Sequence, residues 1–182
     1  MHPLMADVPH THPDVPPVAE ATCRQWYEAH GQAVYSYLRF HLPAADQAED
    51  LTADVFLRAV RAADRFDPAR GSARPWLLRI ARNALHDHLR RERRRRQVPI
   101  GDLADLRSEA PSPEERLLWE EEVARLLAAV ADLGSADREL ISLRYGSGLS
   151  TAELAELLGV REATARTRLW RALGRLRRVL DA

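Results

Sequence analysis

The chain contains no lysine, so all 27 of its basic side chains are arginines. It has one cysteine, Cys23, and cannot form an internal disulfide, which fits a reducing compartment such as the cytoplasm. Glycine is scarce, with eight residues, and the patterns GxGxxG, GxxxxGKS/T, GxSxG and HExxH are absent. These absences exclude the common nucleotide-binding and hydrolytic classes, and we expect a protein that is not an enzyme.

Long apolar runs are also missing. No segment approaches the roughly 20 consecutive apolar residues that a helix needs to cross a bilayer, so we expect no membrane insertion. The first ten residues lack the cationic and apolar parts of a signal peptide. His86 and His88 flank Asp87, but adjacent helical positions point in different directions, and no second cluster completes a metal site. We therefore expect no metal and no cofactor.

The 27 arginines are balanced by 27 acids, and a formal net charge of zero is unusual for a nucleic-acid-binding chain. The charges are, however, separated along the sequence. Residues 67–97 hold ten arginines and three acids, residues 98–137 hold three and ten, and residues 138–182 hold nine and five. This basic–acidic–basic arrangement indicates two segments that are able to meet a polyanion.

Helical periodicity dominates most of the chain, and no pair of strands is evident. Residues 1–20 carry five prolines and no aromatic residue, which predicts a disordered tail. Residues 97–113 carry three prolines and no periodicity, which predicts a linker. The predicted fold is therefore all-α, with two small helical domains, 21–96 and 114–182, joined by a flexible linker.

The segment LSTAELAELLGVREATARTRLWRALGRLRRVL, residues 149–180, predicts a helix-turn-helix. Ser150 and Glu153 have the spacing of a capping box, and Gly159 suits the turn before a longer, arginine-rich helix. Arginine can read guanine edges, glutamate can accept from cytosine, and flanking arginines suit phosphates. We therefore predict that the second helix binds DNA. Its candidate contact residues are Arg161, Glu162, Ala163, Thr164, Arg166, Thr167, Arg168 and Arg171.

A second basic segment, RPWLLRIARNALHDHLRRERRRR, covers residues 74–96. Pro75 suits the first turn of a helix, and arginines three or four residues apart would follow one face of it. Such a stripe with an aromatic and an amide suits single-stranded or distorted nucleic acid, because phosphates take the charge and a base stacks on the ring. Core packing is an equal alternative for Trp76. The candidate contact residues are Arg74, Trp76, Arg79, Arg82, Asn83 and Arg90.

A third segment, AEDLTADVFLRAV, residues 48–60, predicts an amphipathic helix with an acidic outer face. Asp46 and Glu49 have the spacing of a capping box at its start. An acidic helix does not suit direct contact with DNA. It suits a protein partner or a plain solvated surface, and the residues alone do not choose between the two.

These three segments together, in this order, resemble an extracytoplasmic-function sigma factor, a small two-domain class of bacterial RNA polymerase sigma subunits. The resemblance covers about residues 22–96 and 114–180. It implies that the first domain docks on core RNA polymerase and recognises and melts the minus-ten promoter element. It implies that the second domain recognises the minus-thirty-five element in the major groove. The polymerase-binding residues that it implies are Asp46, Glu49, Asp50, Leu51, Val55 and Phe56.

The resemblance also implies partners and a location. The linker is similar to the segment that threads the polymerase toward the RNA exit path, and anti-sigma proteins commonly sequester this family. We expect a cytoplasmic protein that is a monomer when free. Two other functions stay open here: a stand-alone helix-turn-helix transcription regulator, which predicts dimers on paired half-sites, and an adaptor without promoter-dependent activity.

Overall fold

The computed structural model describes residues 17–95 and 113–181, which form seven α-helices and contain no β-strand. Two single turns of 3-10 helix, Ala63–Arg65 and Pro68–Arg70, lie between the second and third α-helices, and a π-helical turn, Ser142–Gly146, extends the fifth. The predicted all-α class is confirmed. The helices are α1 (Pro17–Arg39), α2 (Ala45–Arg61), α3 (Ala73–Arg95), α4 (Pro113–Ala131), α5 (Ser135–Ile141), α6 (Thr151–Leu158) and α7 (Glu162–Leu180).

Two predicted boundaries shift because prolines begin helices here. Helix α1 starts at Pro17, so residues 17–20 of the predicted tail are helical, and residues 1–16 lie outside the described part. Helix α4 starts at Pro113, the last residue of the predicted linker, while residues 97–112 lie outside the described part. A proline at the first helical position loses no hydrogen bond, because the first N–H groups have no partner within the helix.

The first three helices form one unit, in which α1 packs on both α2 and α3. Fully burying a leucine or valine side chain contributes roughly 1.5–3 kcal/mol, so the inner faces of these helices supply the main stabilisation of the unit. The buried residues are Trp26, Val34, Tyr37 and Leu38 on α1, Leu51, Val55, Phe56 and Ala59 on α2, and Leu77, Leu78, Ala81, Ala84 and Leu85 on α3.

The second unit forms around α7, on which α4, α5 and α6 pack. Its buried core includes Leu140, Leu143, Leu154, Leu157 and Leu169. The buried apolar residues of both units belong to one contiguous cluster, and the two units meet where α1 contacts the π turn and α3 contacts α6. The chain therefore has two helical domains that pack directly against each other.

The helix-turn-helix begins with the predicted capping box. The backbone amide of Glu153 donates to the Ser150 hydroxyl at 3.2 Å, and the Glu153 carboxylate accepts from the Ser150 amide at 2.8 Å. Gly159 ends α6 in the left-handed conformation, with φ of 65°, which a residue without a side chain adopts at low cost. The predicted capping box and the predicted turn at Gly159 are both confirmed.

The capping box predicted for α2 is wrong. The helix begins at Ala45, and Ala44 at its N-cap has no side chain able to cap it. Asp46 is therefore inside the first turn, where its carboxylate accepts from the amide of the next residue, Gln47, at 2.7 Å. A carboxylate in the first turn still interacts favourably with the positive end of the helix dipole.

Candidate nucleic-acid and polymerase interfaces

The first half of α7 presents a polar surface to solvent. Leu169 and Ala165 are buried against the rest of the second domain, so the residues between them on the helix point outward. Thr164 is half-buried. The other predicted contact residues are exposed: Arg161, Glu162, Ala163, Arg166, Thr167, Arg168 and Arg171.

Two of these side chains already bond within the helix. The Arg166 guanidinium pairs with the Glu162 carboxylate at 2.8 Å, one turn away, and the Thr167 hydroxyl donates to the carbonyl of Ala163 at 2.9 Å. An exposed ion pair of this kind contributes little, about 0.3–0.5 kcal/mol. Arg166 is therefore able to exchange the carboxylate for another acceptor at small cost.

Trp170 is a surface residue that the sequence analysis missed. Its side chain is 75% exposed, the largest exposure of any large apolar residue in the described chain. It lies one turn after Arg166 and Thr167 on the same face of α7. The signal was available in the sequence, because inward-facing Leu169 forces its neighbour outward.

The predicted melting segment begins with an aromatic cluster. Trp76 packs against Trp26 and Phe66, with ring centroids 5.1 and 5.2 Å apart, and Trp26 meets Phe66 edge-on at 5.4 Å. Trp76 is half-buried. The core-packing alternative therefore describes one side of this ring, while the other side lines a cavity.

That cavity, of about 520 Å³, lies between the two domains. The first domain contributes the loop around Phe66, the start of α3 with Trp76, and Arg79. The second domain contributes Glu153 and Glu156 of α6. The cavity thus combines aromatic, cationic and anionic side chains.

The predicted arginine stripe on α3 is divided between solvent and the other domain. Arg79, Asn83 and Arg90 are exposed. Arg74 and Arg82 are half-buried, and the Nε of Arg82 pairs with the Glu139 carboxylate of α5 at 2.5 Å. Three of the predicted polar contacts are therefore available on the surface of this arrangement.

The outer face of α2 differs in part from the prediction. Asp46, Glu49 and Asp50 are exposed as expected. Leu51, Val55 and Phe56, for which the resemblance implies a polymerase-binding role, have side chains that are only 0–5% exposed and pack in the core. They hold the helix in place, since they fall on its inward-facing side.

An exposed apolar residue completes that outer face. Leu57 is 52% exposed and follows Asp50 by seven residues, two turns along the same side of α2. Arg58 anchors the helix from the side, with ion pairs to Asp54 at 2.8 Å and to Asp87 of α3 at 3.4 Å. The surface therefore combines exposed acids with an exposed apolar residue at one end, which suits a protein partner.

A second cavity, of about 440 Å³, lies where α3 meets the helix-turn-helix. Asp137 pairs with Arg175 through two hydrogen bonds, so this carboxylate is occupied within its own domain. Arg168 and Arg171, two predicted DNA contacts, line the same cavity as Arg82. Arginines from both predicted DNA surfaces thus converge in one place.

Among residues 17–95 and 113–181, no group of three or more potential ligands could hold a metal ion, and no helix is long and apolar enough to cross a membrane.

Comparison with known proteins identifies the family. Residues 26–95 match the Sigma-70 region 2 model, and residues 124–176 match the Sigma-70, region 4 model. The chain belongs to the sigma-70 family of RNA polymerase sigma factors, and it directs transcription initiation. A stand-alone helix-turn-helix regulator, the alternative function, does not account for the match to Sigma-70 region 2.

Relatives identify the group within the family. The chain is 36% identical to the ECF RNA polymerase sigma factor BldN of Streptomyces coelicolor over 85% of its length, but it spans only 58% of that relative. It is 30% identical to the ECF sigma factor SigX of Bacillus subtilis, covering 89% of this chain and 85% of SigX. The chain is an extracytoplasmic-function sigma factor.

Solved structures show the same architecture. CnrH, in a complex with the cytosolic domain of CnrY, is similar with a TM-score of 0.65 and 28% identity, over 89% of both chains. RpoE, in a complex with the anti-sigma factor NepR from Bartonella quintana, is similar with a TM-score of 0.67 and 25% identity, over 87% of this chain and 96% of that one.

The contact between the domains contains a partly buried histidine, His41. The Nε2 of His41 lies 2.9 Å from the hydroxyl of Ser142, which donates in turn to the carbonyl of Glu139. Burial, together with the smaller effects of the charges of Arg138 and His86, lowers the pKa of His41 from 6.5 to about 4. His41 is therefore neutral at pH 7.

We predict that this histidine makes folding sensitive to acid. As the pH falls below 6.5, the unfolded chain takes up a proton at residue 41 before the folded chain does, so stability is lost between pH 6.5 and 4. The full loss is about 3 kcal/mol, and above pH 6.5 this group has no effect.

Chemical denaturation at pH 7.5 and 5 measures the free energy of unfolding, and its decrease on acidification should be smaller for His41→Gln than for the wild type. An unchanged loss in His41→Gln would contradict the prediction, and His88→Gln is the matched control.

Proposed function

We propose that this sigma factor divides promoter recognition between the two helical domains. The helix-turn-helix reads the minus-thirty-five element, the loop before α3 and the α3 stripe capture the melted minus-ten element, and α2 docks on core polymerase. The observation that carries the proposal is the exposed surface of α7, where readers of base edges and phosphate-binding arginines lie side by side. The proposed minus-thirty-five contacts are Thr164, Trp170 and the seven exposed residues Arg161, Glu162, Ala163, Arg166, Thr167, Arg168 and Arg171.

Each side chain on α7 has a role that its chemistry suits. Arg166 has the forked geometry that fits two acceptors on a guanine edge, and Glu162 can accept from cytosine. Trp170 offers an apolar surface that suits the methyl group of thymine. Arg177 and Arg178, exposed farther along the helix, suit phosphates, which supply affinity without sequence information.

The minus-ten surface has the chemistry that melted DNA requires. Arg79, Asn83 and Arg90 offer a polar, cationic path for a strand, with Arg74 and Arg82 joining it where the second domain does not cover them. The cavity beside Trp76 has an aromatic wall on which an extruded base can stack. Unstacking costs a few kcal/mol for each step, and capture of a base there offsets part of that cost.

For α2 we propose a docking surface of Asp46, Glu49 and Asp50, with exposed Leu57 two turns beyond them, rather than one that includes the buried Leu51, Val55 and Phe56. A further partner is an anti-sigma protein. Two structurally similar sigma factors were solved in complexes with CnrY and NepR, and the sequence similarity extends to one of them. We propose that the chain acts as a monomer, in the cytoplasm where chromosome and polymerase meet, and that it makes and breaks no covalent bond.

Run-off transcription tests the function itself. Core RNA polymerase with a promoter library should initiate at selected sequences only when this protein is added. Initiation that is equally strong and equally distributed without the protein would contradict the proposal. Selective binding of the free protein to paired half-sites, with no effect on polymerase, would favour a stand-alone regulator instead.

The assignment of α7 predicts the effect of Arg166→Ala. Removing a base-reading arginine should weaken binding of the holoenzyme to its best promoter by about 1–3 kcal/mol and relax the preference at one base pair. Binding to the promoter library measures both effects. The control is Arg178→Ala, which removes the same charge and should lower affinity evenly across sequences. An unaltered preference in Arg166→Ala would show that another surface reads the element.

The assignment of α2 predicts the effect of Asp50→Arg. Reversing an exposed charge on the acidic face should weaken binding to core polymerase at least tenfold. The new arginine would face a polymerase surface that is complementary to a carboxylate, and like charges repel. Titration of labelled core polymerase measures it. Asp64→Arg, at an exposed acid beyond the end of α2, is the control. Equal affinities of the two variants would contradict the docking assignment.

A further inference from the structure

Arginines from both domains line the cavity of about 440 Å³ between α3 and the helix-turn-helix. One of them lies on α3 and three lie on α7. The same wall contains two acids, Asp137 and Glu139, so four cationic groups face two anionic ones. The cavity therefore has an excess of positive charge. Its arginines are Arg82, Arg168, Arg171 and Arg175.

The two acids are already occupied by two of these arginines. Glu139 accepts from Arg82, and Asp137 accepts two hydrogen bonds from Arg175. The other two, Arg168 and Arg171, are exposed and have no acid partner among the residues that the structure describes. A guanidinium binds a phosphate group through two parallel N–H groups. The excess charge of the cavity is therefore available to an anionic ligand.

The cavity arginines lie on a different side of α7 from the proposed base reader, Arg166. Successive residues of an α-helix are rotated by about 100° around its axis, so Arg168 lies about 160° away from Arg166. Arg168, Arg171 and Arg175 follow one another at intervals of three and four residues, which places them in one row. This row borders the cavity, and Arg166 does not.

The remaining part of the cavity wall is apolar. It consists of Ala136 and Leu140 of α5 and Leu158 of α6. Sites for small molecules typically combine an apolar wall with a few charged groups that fix the orientation of the ligand, in volumes of about 300–1,000 Å³. The cavity has this size and this combination of side chains.

We propose that the cavity is a binding site for a small molecule that carries a diphosphate group. Two linked phosphoryl groups match two unpaired guanidinium groups that are neighbours on one helix face. The apolar wall leaves room for an attached ring, so free pyrophosphate and a nucleoside diphosphate are the two sources of this group. A bound ligand would also occupy Arg168 and Arg171, and would thereby compete with promoter DNA. That competition, unlike the binding itself, rests on the proposed function.

Isothermal titration calorimetry on the full chain tests the binding without DNA or polymerase. At a constant ionic strength of about 0.15 M, inorganic pyrophosphate and ADP should each bind. Orthophosphate should bind about tenfold more weakly than pyrophosphate, because it lacks the second phosphoryl group. Tighter binding of ADP than of pyrophosphate would identify a nucleotide as the ligand, and equal or weaker binding would identify the diphosphate alone. The absence of binding by both would overturn the proposal.

A charge variant locates the site. Arg168→Gln with Arg171→Gln removes the two unpaired guanidinium groups, while Arg177→Gln with Arg178→Gln, the control, removes two exposed ones farther along α7. Both pairs change the net charge equally, so a general attraction of anions to the chain cancels in the comparison. We expect the affinity for pyrophosphate to be about tenfold lower in the cavity pair than in its control.

A steric variant tests the cavity without changing any charge. Ala136→Phe adds a ring at the cavity wall, whereas Ala152→Phe, the control, adds it at the corresponding second position of α6. Both alanines are exposed, so neither substitution overfills the core. We expect Ala136→Phe to bind ADP about fivefold more weakly than the control, because the added ring takes up part of the space for the ligand.

The outcomes separate this inference from the proposed function. If all variants are folded by circular dichroism, and if both cavity variants bind like their controls, the anions bind generally to a basic chain and the proposal is wrong. Run-off transcription by the wild-type protein reports promoter recognition independently. Selective initiation without binding of pyrophosphate or ADP would overturn the inference and leave the function intact.

Discussion

The packing around the C-terminal end of α1 is the constraint on which the rest of the structure depends. Val34 and Leu38 are buried in the core of the first domain, where α1 packs on both of its partners. One turn farther, Phe40 and His41 meet the π turn of the second domain. Because α1 packs in the core and the two residues that directly follow it form the junction, the position of the second domain is coupled to the core of the first.

The exclusive use of arginine suits a chain whose cationic groups change partners. A guanidinium binds a carboxylate and a phosphate through the same planar fork of N–H groups, which a lysine cannot do. Arg82 pairs with Glu139 across the junction, and Arg166 pairs with Glu162 on its own helix. A net charge of zero therefore describes a molecule in which arginines of both proposed DNA-binding surfaces have acids beside them.

Local features of the fold were predictable, and their failures have local causes. The Ser150–Glu153 capping box was predictable because all its bonds lie within four residues. The same spacing at Asp46 predicted an N-cap that is not formed, because α2 begins two residues earlier than the pattern requires. Pro17 and Pro113 lie in proline-rich segments whose composition predicts a tail and a linker, yet each is the first residue of a helix. Composition averages over a segment, whereas the helix depends on the position of the proline.

The sequence by itself determined the helical class, the family through three motifs in order, and the separation of charge into blocks. These follow from periodicity and spacing, which are encoded by residues near one another. Only the tertiary structure decided that Leu51 is core while Leu57 is surface, that Trp76 has one packed side, and that Arg82 is engaged while Arg79 is free. Those outcomes depend on partners such as Glu139, which is 57 residues from Arg82 in the chain and reaches it only through the packing of the two domains against each other.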